Sequence, residues 1–178
     1  NELLKAGNKQ WTFEADASTF AALITLRKAV QELKVKHVIS FHRSISRARE
    51  FQQLNDAVNN FGTKFGYIHS YHINGKKGTG KRSEIINRFI SEEPSLITNA
   101  RCLTEGVDIP EVDAVLFADP KDSTVDIVQA AGRAMRVSDN KELGYILLPV
   151  MLDEEENNSI EDSAFKQIIK VVSALGMS

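Results

Sequence analysis

A single cysteine, Cys102, stands among 178 residues. No intramolecular disulfide can form, and a zinc site built on thiolates is disfavoured. That thiol content suits a reducing compartment, and a cytoplasmic location is expected. No apolar run approaches the roughly 18 to 20 residues needed to cross a bilayer, so no membrane partner is expected. Asn1-Glu2-Leu3-Leu4-Lys5 has neither an initiator methionine nor the basic-then-apolar layout of a secretory leader; the chain reads as a piece of a longer one. Nor is there a surplus of one charge: 22 Lys and Arg against 24 Asp and Glu leave a net charge of −2. Contact with nucleic acid would need a local patch and backbone dipoles, not a bulk positive field.

What is present is the composition of a globular protein. Hydrophobic residues make up 42% and charged residues 26%, which excludes a disordered chain, and the length suits one domain with a proper core. Short apolar runs alternate with longer amphipathic ones. Phe20, Leu23, Ile24, Leu26 and Val30 predict a helix over Ala17 to Leu33. His37 to Phe41 predicts a buried strand, and Ser44 an N-cap for a helix over Ile45 to Val58. Strands are further expected at Tyr67 to Ile73, Ser95 to Thr98, Val112 to Ala118 and Gly144 to Val150. Helices are expected at Ser83 to Ile90, Val125 to Met135 and Phe165 to Leu175, the last with a docking partner left open. Asn74-Gly75 signals a turn that Gly78 and Gly80 extend, and Asp153 to Asn158 an acidic linker. This alternation predicts an α/β fold with a mainly parallel sheet covered on both faces. Ligands in such folds gather at the carboxyl ends of strands. The chain divides into a helical extension of the same domain (1–36), a core (37–152), and a linker with a closing helix (153–178).

Gly75-Lys76-Lys77-Gly78-Thr79-Gly80-Lys81-Arg82 nearly matches a phosphate-binding P-loop. Arg82 stands where a hydroxyl must bind magnesium, and Ser83 comes one residue late, about 100° further round a helix. The segment reads as a basic surface loop, so the chain lacks a Walker A site of its own. Without a carboxylate cluster nearby, His37, His42, His69 and His72 read as strand or surface residues, and no metal site is expected.

Two segments carry chemistry. In Thr98-Asn99-Ala100-Arg101-Cys102-Leu103-Thr104-Glu105-Gly106-Val107-Asp108-Ile109-Pro110, Thr98 and Asn99 end a strand where a hydroxyl and amides can hold a phosphodiester without reading sequence. Gly106 permits close backbone approach, and Asp108 is an acceptor for a ribose hydroxyl. In Gln129-Ala130-Ala131-Gly132-Arg133-Ala134-Met135-Arg136, the spacing puts Gln129, Arg133 and Arg136 near one helical face. Guanidinium forks there suit a polyphosphate.

Gln-x-x-Gly-Arg-x-x-Arg, about twenty residues after Thr-x-x-x-x-x-x-x-Gly-Val-Asp-Ile-Pro, is similar to motifs VI and V of superfamily-two helicases. Val38-Ile39-Ser40-Phe41-His42 with Arg43-Ser44 resembles motif IV, and His72-Ile73-Asn74-Gly75 with Arg82 and Phe89 resembles the stretch between motifs IV and V. The resemblance implies the second of two RecA-like domains, a three-layer sandwich without its own Walker A. The first RecA-like domain, on the same polypeptide, would carry the P-loop and hold most of the Mg2+; ATP would bind between the two. It implies Arg136 as the arginine finger, with Arg133 also on the terminal phosphates. Gln129 would link phosphates to domain closure, and Gly106 and Asp108 would face the nucleotide. Thr98, Arg43 and Ser44, joined by Asn99, would touch one nucleic-acid strand. The implied activity is ATP-dependent helicase or translocase, with the isolated domain inactive. Gln129, where DEAD-box RNA helicases have His, leans toward DNA; Leu103 to Pro110 with Phe117-Ala118-Asp119-Pro120 resembles restriction-type bacterial helicases. The alternatives are a stand-alone nucleotide-binding or regulatory domain using the glycine loop, and a non-catalytic scaffold, against which the retained arginines count.

Overall fold

His37–Phe41 (β1), His69–Ile73 (β2), Ser95–Asn99 (β3), Ala114–Phe117 (β4) and Tyr145–Leu147 (β5) form one sheet in the order β2-β3-β1-β4-β5. Every pairing is parallel. The computed structural model describes residues 16–61, 66–73, 79–99, 109–134, 136, 143–150 and 164–176. Within them the helices are Ala17–Glu32 (α1), Ile45–Asn59 (α2), Thr79–Ser91 (α3), Thr124–Ala134 (α4) and Lys166–Gly176 (α5). β1, β3 and β4 are buried at every residue, as central parallel strands must be when helices cover both faces.

Register sorts the side chains into two cores. Val38, Leu96 and Leu116 meet Leu23 and Leu26 of α1 and Phe51 and Leu54 of α2. On the opposite face Ile39, Ile97 and Val115 meet Phe89 of α3, Ile127 of α4 and Ile168 of α5. At the carboxyl end of the sheet Phe41 and Phe117, register partners, stack with ring centroids 5.9 Å apart. The architecture is the three-layer α/β sandwich that the alternation predicted. The closing helix finds its partner within this chain: Phe165, Ile168 and Val171 bury against α4 and the sheet.

Local chemistry sets the helix ends. Asp16 caps α1 by accepting the Thr19 N–H at 2.8 Å, and Ser44 caps α2 by accepting the Arg47 N–H at 3.1 Å. The strands β2, β4 and β5 are shorter than expected, and two helix boundaries differ in ways that move candidate residues. α3 starts at Thr79, so Gly80, Lys81 and Arg82 form helix rather than loop. One helical glycine costs only about 1 kcal/mol, which anchoring through Phe89, Ile85 and Ile86 outweighs. α4 ends at Ala134, with Gly132 and Arg133 in its last turn, so Arg136 lies beyond the helix and not on its face. Asn74 to Gly78, Cys102 and Asp153 to Asn158 fall outside the described residues.

The edge strand β2 is tied down by α2. Gln52 Nε2 donates to Ser70 O at 3.2 Å, while Asn55 and Asn59 donate to Ile68 O at 3.0 and 2.9 Å. Buried Arg27 of α1 completes the network, donating to Gly66 O at 2.8 Å, Asn55 Oδ1 at 2.7 Å and Asn59 Oδ1 at 2.9 Å. Desolvation lowers the Arg27 pKa to about 10, against the opposing pull of Asp56.

Candidate nucleotide and nucleic-acid surfaces

After β1 the chain turns to α2 on one face of the sheet; after β4 it turns to α4 on the other. The two loops diverge, and a crevice opens between the carboxyl ends of these neighbouring strands, as at the switch point of any doubly wound sheet. It encloses 530 Å³ and is lined by Phe41, His42 and Arg43 from the β1 side and Asp119, Lys121 and Asp126 from the β4 side, among others. Lys121 pairs with Asp126 at 3.0 Å.

The walls are fixed by a charge network. Asp119, 6% exposed, accepts the Arg43 backbone N–H at 3.0 Å and Arg47 Nη2 at 3.2 Å. Arg47 also pairs with Asp16 and donates to Ser18 Oγ at 3.0 Å. The hydrogen bond from Arg47, with the Thr19 N–H, holds the Asp16 carboxyl far below the usual carboxylate range, and the same pair raises the Arg47 pKa. His42 packs on Phe51 and shares a 2.9 Å hydrogen bond with Ser40. Its Nδ1 is 4.0 Å from Asp119, a neighbour that favours protonation. Burial opposes this and prevails, since the imidazolium would lose its hydration in full and gain only a long contact; the pKa falls from 6.5 to about 4.

The predicted strand-contacting residues are distributed unevenly. The Arg43 side chain is exposed at the crevice, and the Ser44 hydroxyl is engaged in capping α2. Thr98 and Asn99 are fully buried. The Thr98 hydroxyl lies 3.0 Å from His72 Nδ1 and faces the α1–α2 layer; Asn99, the next residue, faces the opposite layer. On the nucleotide side, Gln129 is exposed on α4, Arg133 half-buried in its last turn, and Arg136 exposed just beyond. Gly106 and Asp108 lie outside the described residues.

As a crossover helix between parallel strands, α4 runs against the strand direction. Its 11 residues carry the chain about 15 Å from the crevice at Thr124 to the arginine end. The carboxyl-edge rule therefore locates the crevice, while the arginine pair stands at the other end of α4. Among the described residues no group of three His, Cys, Asp or Glu side chains lies together to hold a metal ion. The sequence reading missed the Asp119–Arg47–Asp16 network. One signal was available: an Asp directly after a buried strand must find donors, because a buried lone carboxylate is too costly.

The sequence and the fold resemble those of known proteins. The family model "Helicase conserved C-terminal domain" matches residues 20–138. A protein of African swine fever virus named as a probable helicase is 38% identical over 85 residues, 48% of this chain and 10% of its own length. The ATP-dependent Type ISP restriction-modification enzyme LlaBIII, solved bound to DNA, superposes with a TM-score of 0.73 at 27% identity, over 90% of this chain and 12% of that one. Domain 2 of the DEAD-box helicase Mss116p, solved bound to an RNA duplex, shares the fold with a TM-score of 0.54 at 23% identity, over 74% of this chain and 49% of that one. The chain thus spans about a tenth of the first two relatives. With the parallel sheet, the switch-point crevice and this match over most of its length, the chain belongs to the helicase C-terminal domains, the second RecA-like domains of superfamily-two helicases.

Proposed function

We propose that this chain is the second motor domain of an ATP-driven helicase or translocase, acting on DNA rather than RNA. The observation that carries the reading is the arginine end of α4: Arg136 exposed, Arg133 beside it, and Gln129 exposed one to two turns back. ATP seated on a preceding RecA-like domain, with its Mg2+ held there, meets these groups as the domains close. Arg136 acts as the finger on the charge that develops at the γ-phosphate, an effect of roughly 10³ to 10⁵-fold on turnover. Arg133 and Gln129 tie the phosphates to the closed arrangement, with Gly106 and Asp108 on the ribose side. Arg43 and Ser44, above Thr98 and Asn99 of β3, meet one strand through its sugar–phosphate backbone, so contact is independent of sequence. Alternation between ATP-closed and product-open arrangements then moves the strand. The preference for DNA rests on Gln129 and on the likeness to the DNA-bound restriction enzyme. In the full-length protein, Arg136→Ala should lower nucleic-acid-stimulated ATP hydrolysis about 10³-fold or more while ATP binding survives. Unchanged turnover would remove the finger and, with it, the reading.

A further inference from the structure

Within the β1–α2 loop, backbone groups on either side of Arg43 are held by regular structure. The His42 N–H donates to Asn99 O at 2.9 Å, and Ser44 O accepts the Ala48 N–H at 3.1 Å as α2 begins. The Arg43 N–H between them is held by a side chain 76 residues away, the Asp119 carboxylate at the end of β4. That carboxylate is 6% exposed and takes its compensating charge from Arg47, itself gripped by Asp16 and Ser18 at the start of α1. Three elements thus lock one loop residue by its backbone. Among the described residues the Arg43 guanidinium makes no hydrogen bond or ion pair. A fixed backbone presenting an uncommitted cation at the rim of a crevice is the arrangement that lowers the ordering cost of gripping a phosphate.

Resting on the motor reading, we infer that Asp119 is a positioning residue for nucleic-acid binding: it holds the β1–α2 loop so that Arg43 meets the strand. Asp119 does not touch the strand itself and acts through Arg43. The test uses the full-length protein, a labelled single-stranded oligonucleotide and stimulated ATP hydrolysis. Asp119→Asn keeps the size but removes the charge that Arg47 and the Arg43 N–H share. Losing such a charge-assisted contact should raise both the oligonucleotide Kd and the half-stimulating concentration about tenfold. Saturated turnover should fall by a smaller factor, a split that general loosening of the fold would not give. Because the effect runs through Arg43, the double variant with Arg43→Ala should bind no more weakly than Arg43→Ala alone. Wild-type affinity in Asp119→Asn, or full multiplication of the two single effects, would overturn the inference. If Asp119→Asn does not fold, Asp16→Asn loosens Arg47 from its exposed side and should raise the same two quantities by a smaller factor; no rise would overturn it equally. Failure of the motor reading looks different: the wild-type protein would then bind no oligonucleotide, and both would fall together.

Discussion

As the pH is lowered from 7 toward 4, His42 takes up its proton in the unfolded chain well before it does so in the native one. Unfolded, the imidazole titrates near its ordinary 6.5; folded, burial against Phe51 lowers this to about 4. The native state therefore binds fewer protons across that window, and stability contributed by the neutral ring is complete above 6.5 and lost as the pH falls toward 4. A displacement of about 2.5 units corresponds to roughly 3 kcal/mol, with a slope of at most about 1.4 kcal/mol per pH unit. His42→Gln removes the titration and keeps a polar group near Ser40. Urea unfolding followed by far-ultraviolet circular dichroism at pH 7, 6, 5 and 4 gives the free energy of each protein. Subtracting one curve from the other cancels the carboxylates common to both. The variant, less stable at pH 7 through lost packing, should regain roughly 3 kcal/mol relative to the parent by pH 4. Parallel curves would mean a solvated native His42. A variant that loses stability faster than the parent would mean that Asp119 holds an imidazolium in the folded state, so that ion pairing outweighs burial.

Two further outcomes follow from the packing. Arg27→Met strips a buried guanidinium from Gly66, Asn55 and Asn59; Asn59 Oδ1 keeps the Ile68 N–H at 3.0 Å, but the buried Asn55 side-chain oxygen loses its charged donor. Urea unfolding should show a loss of about 1 to 3 kcal/mol, and no loss would mean that the network is solvated. Gly132→Ala meets nothing among the described residues within 4 Å of the added methyl, so the thermal midpoint should rise, reflecting about 0.5 to 1 kcal/mol of helix propensity; a fall would show that this face of α4 is covered.

Much of the fold was legible because its signals are local. Val38-Ile39 and Leu96-Ile97 announce strands, Ser44 announces a helix start, and the Gln129-to-Arg136 spacing announces the family. Exposure was less legible. In a parallel sheet buried on both faces, alternation does not tell which of Thr98 and Asn99 reaches solvent, and neither does. The pairing of Arg43 and Arg47 with Asp119 spans more than seventy residues and depends on strand order, which adjacent residues do not encode. The separation of the crevice from the arginine end likewise follows only once α4 is known to run against β4 and to end before Arg136.

The central claim, a motor domain that completes a nucleotide site carried elsewhere on the same polypeptide, is tested most directly by ATP hydrolysis measured with and without single-stranded DNA. The measurement compares the full-length protein with residues 1–178 alone. The expected result is turnover by the full-length protein that DNA raises about tenfold or more, and none by residues 1–178 under either condition. Hydrolysis by residues 1–178 alone, or a full-length rate indifferent to nucleic acid, would contradict it.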